Sequence, residues 1–161
     1  MPASTIGGEA LSFALNTATV VIGWGVVHWL TANRDREKSR REMVAASVDL
    51  LVEATGRIFI DARQYHSEPR DVALETELKV DLQDLSNSTR SLAMLSSDIA
   101  LLATCRSLVR AFWKAITAEH FEDEHDGRLA QRCLQLELIA AQSLLLKQAF
   151  MNLKYQQWKT P

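Results

Sequence analysis

Residues 10–33 read ALSFALNTATVVIGWGVVHWLTAN, twenty-four residues without a formal charge, and residues 34–41 follow at once as RDREKSRR. A helix rises about 1.5 Å per residue, so about twenty such residues cross the roughly 30 Å hydrocarbon core of a bilayer. The expected organisation is a leader and single transmembrane helix over 1–33, a basic juxtamembrane collar over 34–43, and a helical bundle over 44–161. A secretory signal would need a basic leader and a short apolar run before its cleavage site. Residues 1–9 hold no basic side chain and the apolar run is too long, so the segment is expected to stay as an anchor.

Charge is distributed unevenly around that segment. Residues 1–33 contain no Lys or Arg and one acid, Glu9; residues 34–41 carry five basic and two acidic side chains; from Glu42 onward there are 13 basic and 17 acidic. Basic juxtamembrane residues resist translocation and favour an anionic inner leaflet. The expected placement is therefore a single-pass protein of the cell inner membrane, N-terminus outside and C-terminal domain cytoplasmic. Arg34, Arg36, Lys38, Arg40 and Arg41 would contact lipid headgroups, each contributing on the order of 1 kcal/mol. Trp29 suits the interface and His28 lies close to it. Within the apolar run, Ser12, Asn16, Thr19 and Gly23 fall at spacings of four, three and four, hence along one helical stripe. Small and amide side chains on one face permit close helix approach, a membrane association face; a lone helix that tolerates weakly polar residues explains them equally well.

The rest of the chain is long enough for one domain. A net charge of -2 over 161 residues points to no nucleic acid or acidic substrate. Only three prolines and six glycines occur, so long helices are the default. Val44, Val48, Leu51, Thr55, Ile58, Ala62 and Tyr65 alternate by four and three, a stripe that needs partner helices. The first body helix is expected over about 33–66, with nothing in the sequence to break it from the membrane segment, and Pro69 suits the first turn of the next. The second (about 70–95) uses Leu74, Leu78, Leu82, Leu85, Thr89 and Leu92. Ser96-Ser97-Asp98 supplies an N-cap oxygen for a third (about 98–120) with Ile99, Leu102, Cys105, Val109, Phe112 and Ile116. A fourth (about 128–159) is apolar on two stripes, one through Leu129, Cys133, Leu136, Ile139, Ser143, Leu146, Phe150 and Leu153, the other through Leu134, Leu138, Ala141 and Leu145. So wide an arc is either central in the bundle or buried in a second copy. The expected fold is all-α, an N-terminal transmembrane helix followed by an up-down four-helix bundle.

Chemistry has few footholds. Cys105 and Cys133 show no metal or redox spacing and are expected to be reduced, buried hydrophobes. Glu122 and His125 form a Glu-x-x-His pair of the kind found in di-iron bundles, but no second such motif exists and an acidic loop is the simpler reading of EHFEDEHDG at 119–127. Arg57 and Asp61 make a surface pair at helical spacing. Arg106 and Arg110, with Trp113 nearby, could bind phosphate or RNA, and a solvated helix face explains them more simply. No phosphate loop or nucleophile motif is present, so neither catalysis nor a cofactor, metal or small-molecule substrate is expected.

The retained span, the collar RDREKSRREM, a first helix rich in Val, Leu and Ala and further helices to the C-terminus resemble the layout of small bacterial single-span inner-membrane proteins of unknown function. The resemblance covers the whole chain and rests on layout, with no diagnostic motif. It implies a bacterial inner-membrane protein with a cytoplasmic helical domain and carries over no active residue. The expected function is a membrane-tethered, non-enzymatic interaction or scaffold module whose partners are membrane lipids and either a second copy or another helical protein. The alternative is a membrane-active effector or pore subunit oligomerising through Ser12, Asn16, Thr19 and Gly23.

Overall fold

The computed structural model describes the backbone of residues 6–96, 98–118, 121–122 and 133–159, and side chains within those ranges from residue 28 onward, except at 133, 157 and 158. The described chain is helical throughout: α1 (Ile6–Ser67), α2 (Val72–Ser91), a short 3-10 turn (Leu92–Met94), α3 (Ile99–Ile116) and α4 (Cys133–Lys159). It divides into two compact units, Met1–Arg40 and Arg41–Pro161, the boundary falling inside the basic collar. In the first unit Trp29 and Leu30 are exposed. Among the described residues no helix is long and apolar enough to cross a membrane. The fold thus lends no support to the anchor expected over 10–33, and the side chains of residues 10–27 lie outside those described.

The second unit is built around the stripe on α1. Val44, Val48, Leu51, Thr55, Ile58, Ala62 and Tyr65 are all buried, as the alternation by four and three requires. Each fully buried aliphatic side chain stabilises the fold by about 1.5–3 kcal/mol, so no helix of the unit holds its face alone. Leu78, Leu82, Leu85 and Leu92 come from the second chain segment, Leu102, Cys105, Val109, Phe112 and Ile116 from α3, and Ile139, Leu146, Phe150 and Leu153 from α4. Two threonines tolerate the core because each hydroxyl donates to its own helix, Thr55 Oγ1 to the Leu51 carbonyl and Thr89 Oγ1 to that of Leu85, both at 2.7 Å.

Contacts at the two ends set the helix directions. At one end Tyr65 meets Glu75 at the start of α2, and His66 meets both Ile116 at the end of α3 and Gln135 at the start of α4. Toward the other, Asp49 on α1 pairs with Lys154 near the end of α4, at 2.6 Å. Within this unit α1 therefore runs antiparallel to α2 and α4 and parallel to α3, an up-down arrangement.

Helix ends follow their caps. The Asp71 carboxylate accepts from the N–H groups of Ala73 and Leu74, so α2 starts after Asp71 and Pro69 lies ahead of the cap rather than in the first turn. Asp98 accepts from the Leu101 N–H at 2.9 Å and opens α3. Ile99, expected in the core stripe, is 80% exposed because it precedes the first inward turn, which begins at Leu102. The helix α3 stops at Ile116 rather than near His120, and residues 128–132, expected in the fourth helix, lie outside those described.

Two substitutions test this packing. Ile58→Ala, at a fully buried position, is expected to cost about 2–5 kcal/mol in denaturant unfolding, whereas Ile60→Ala, 63% exposed on the same helix, stays within about 0.5 kcal/mol of wild type. A Cβ added at Gly56 would meet the Lys147 ammonium at 3.2 Å, the mobile tip of a long side chain. Gly56→Ala is therefore expected to stabilise α1 by about 0.5–1 kcal/mol in the same measurement.

Candidate functional site

The outer face of α4 is an apolar surface that the described residues of the second unit leave uncovered. At about 100° per residue, its two apolar stripes lie on nearly opposite sides of the helix. One, through Ile139, Ser143, Leu146, Phe150 and Leu153, is buried in the bundle. The other stays in solvent: Leu134, Leu138, Ala141, Leu145, Gln148, Asn152 and Tyr155 recur at spacings of four and three, and every one is exposed. Leu134 is 81% and Tyr155 59% exposed, and Leu144 and Met151 flank the row at 68% and 48%. The choice of inward stripe has a physical cause. Burying the outer row would place the Gln148 and Asn152 amides in an apolar core, where an unpaired amide costs about 1–3 kcal/mol.

A second constellation closes one end of the bundle. Glu75, almost fully buried, accepts from Arg70 Nε and a terminal Arg70 nitrogen at 3.0 and 2.8 Å and from Lys79 Nζ at 2.8 Å. The Tyr65 hydroxyl gives it a long fourth bond of 3.4 Å. That hydroxyl in turn accepts from the Glu122 N–H, and the Glu122 carboxylate pairs with Lys79. Glu122 sits at φ 77°, the left-handed region that non-glycine residues avoid, held there by these two contacts. Phe121 packs beside it on the Tyr65 ring, centroids 5.1 Å apart, beneath the Lys79 ammonium. His66 and Gln135 reach the last carbonyls of α3, His66 Nε2 to Ile116 at 2.9 Å and the Gln135 amide to Ala115 at 3.3 Å, capping groups that no turn of the helix can satisfy. This cluster directs its bonding capacity inward, and it works as a clamp.

The remaining expected residues are dispersed. The side chains of Ser12, Asn16, Thr19 and Gly23 lie outside those described. In the collar Arg34, Arg36 and Lys38 are exposed, Arg40 and Arg41 half-buried, and Arg40 lies 4.0 Å from Glu37. His125 is outside the described residues, while Glu122 serves Lys79. Arg57 and Asp61 form no direct ion pair among the described residues. Arg57 lines a groove between α1 and α2 with Glu53, Asp81 and Asp84 over Leu51, Ile58 and Leu85. Burial first, and then the Asp81 carboxylate, push the Asp61 carboxyl above its ordinary value, against Arg57. Cys105 is a buried free thiol whose pKa burial raises to about 11. The side chain of Cys133 is outside those described. Comparison with protein-family models, curated proteins and solved structures gives no match. Function must be read from the chain's own surfaces.

Sequence reasoning passed over Glu75, His66 and Phe121. Glu75 could have been suspected, since it sits between Leu74 and Leu78 with a cation four residues on at Lys79.

The clamp should be visible in acid. The Lys79 hydrogen bond, aided by Arg70 and opposed by burial, holds the Glu75 carboxyl below its ordinary value of 4.5. A depressed folded pKa contributes stability that is present above the unfolded value and is lost as pH falls through the folded one. Glu75→Gln is therefore expected to melt below wild type at pH 7, the gap narrowing as pH drops below about 4. Thermal melts across pH 3–7 check it.

Proposed function

We propose that this chain is a membrane-tethered, non-enzymatic interaction module that presents its helical bundle at the cytoplasmic face of the inner membrane and pairs with a second copy through the outer row of α4. One observation carries the reading: an exposed row over three heptads, Leu134, Leu138, Ala141 and Leu145 continued by Gln148, Asn152 and Tyr155, on a helix whose opposite face already fills the core. A row with this spacing is the pattern that meets an equivalent row on another helix, and Gln148 and Asn152 within it would fix register by bonding across the seam.

Magnitudes favour a second copy held on the same surface. Covering the exposed parts of Leu134, Leu138, Leu144, Leu145, Met151 and Tyr155 on each copy is worth roughly 1 kcal/mol per side chain. The association cost is an estimated 4–15 kcal/mol. The balance is close to neutral for molecules free in three dimensions. Restriction to one surface raises effective concentration without any new contact, and supplies what the seam lacks. The uncharged run at 10–33 and the net positive collar support the tether.

Lysine-reactive crosslinking of the full chain in native membranes is expected to trap a dimer, and Leu138→Glu with Leu145→Glu to abolish it. Both positions are exposed, so the double variant should melt within about 0.5 kcal/mol of wild type. A wild-type protein that crosslinks to nothing, or a dimer that survives both charges, overturns the self-pairing. The tether is tested apart from it: the chain is expected to pellet with membranes and to need detergent for release. Recovery in a detergent-free supernatant would overturn that half alone.

A further inference from the structure

The helix α3 carries Arg106, Arg110 and Lys114 and not one acid between Ile99 and Ile116. Arg106 is half-buried, whereas Arg110 and Lys114 are exposed. Arg106 and Arg110 line a small cavity with Val109 on α3 and with Ser86, Thr89 and Arg90 on α2, about 70 Å³ in volume. Three arginines from two helices thus border one space. Among the described residues none of the three makes an ion pair, although this chain pairs cations elsewhere, Arg70 and Lys79 on Glu75 and Lys154 on Asp49. The Arg106 Nε is buried with no hydrogen-bond partner. A buried unsatisfied donor costs about as much as a hydrogen bond is worth, more when it belongs to a charged group. Three like charges around one cavity add repulsion to that cost.

We propose that this cavity is an oxyanion site that takes a phosphate dianion, either free or as the terminal monoester of a small ligand or lipid headgroup. Charge selects the class: a carboxylate meets one guanidinium in a fork, whereas a doubly charged tetrahedral group has oxygens enough for three. The bound oxyanion accepts from Arg106 Nε, the orphaned donor, and bridges α2 to α3. Serine and threonine hydroxyls border the space: Thr89 Oγ1 donates to the Leu85 carbonyl, and the Ser86 hydroxyl can donate to the anion. Volume excludes a nucleobase. RNA is disfavoured on a second ground, for Trp113, the aromatic needed as a stacking platform, lines a different cleft with Lys79, Gln83, Thr117 and Phe121. The site depends on neither the tether nor the α4 seam.

The test is titration of the full chain in detergent with inorganic phosphate at constant ionic strength, read by calorimetry and by thermal melting, with chloride as the control. Saturable binding and a rising melting temperature are expected. Arg106→Gln and Arg110→Gln should each weaken binding by about tenfold or more, the loss expected for one charge-assisted bond. Arg106→Lys, which keeps the charge but removes the Nε donor, should fall between. Should either glutamine variant fail to fold, Arg90→Gln at an exposed position carries the same expectation. Absence of saturable binding, or binding that the variants leave unchanged, overturns the proposal. Reconstitution separates the two sources. In phosphatidylcholine vesicles containing phosphatidic acid, a headgroup ligand fills the site and removes the response to added phosphate. A soluble ligand leaves that response as it is in phosphatidylcholine alone.

Discussion

The bundle depends on the burial of one row of side chains, Val44 to Tyr65 on α1, which no helix can bury for itself. Each of the other helices supplies an apolar row of the same period, and the four rows meet because their spacing of three and four residues is shared. Interiors are packed as densely as organic crystals, so a row that misses its partners by one residue would forfeit most of those contacts. The register is held at one end by the Glu75 clamp and toward the other by the pair between Lys154 and Asp49. The exposed pair is worth little by itself. Glu75 matters more, because losing a partner would leave a buried charge uncompensated.

The two surfaces proposed to be functional share one logic. Each is a place where the pattern that builds the bundle was carried beyond what the bundle can satisfy. On α4 a second apolar row repeats the heptad on the side that stays exposed among the described residues. On α2 and α3 three arginines border one cavity without, among the described residues, the carboxylates that neutralise cations elsewhere in the same unit. A fold tolerates such surplus at a cost, and both surpluses have a partner chemistry that would remove it: another apolar row in one case, a dianion in the other.

Much of the fold was legible from residue order, because helical periodicity is a local property. The seven positions read as the inward row of α1, Val44 to Tyr65, are all buried, since beyond the collar that helix has a single apolar row; His66, next to its end, was missed. On α2 only Leu74 is half-buried, and on α3 only Ile99 lies outside the core, one turn too early for the bundle to reach it. The acidic look of residues 119–127 concealed Phe121, whose ring covers Tyr65, because composition averages over a loop and a single aromatic plug does not change the average. The surface pair of Arg57 and Asp61, read from their spacing, is not made directly among the described residues; Arg57 lines a groove with Asp81, and burial and the Asp81 carboxylate raise the Asp61 carboxyl against Arg57.

What residue order determined by itself is the helical class, the capping segment Ser96-Ser97-Asp98 ahead of α3, the inward rows of α1 to α3 and the basic character of α3. Each follows from side chains within a turn or two of one another, where geometry is set by the backbone repeat. Tertiary structure alone decided which face of α4 stays in solvent, that Glu75 and His66 are buried, and that Arg90 joins Arg106 and Arg110. Those outcomes require segments 16 to 69 residues apart to meet, as His66 does with Gln135, and the distance between two helices is written in no single stretch of chain.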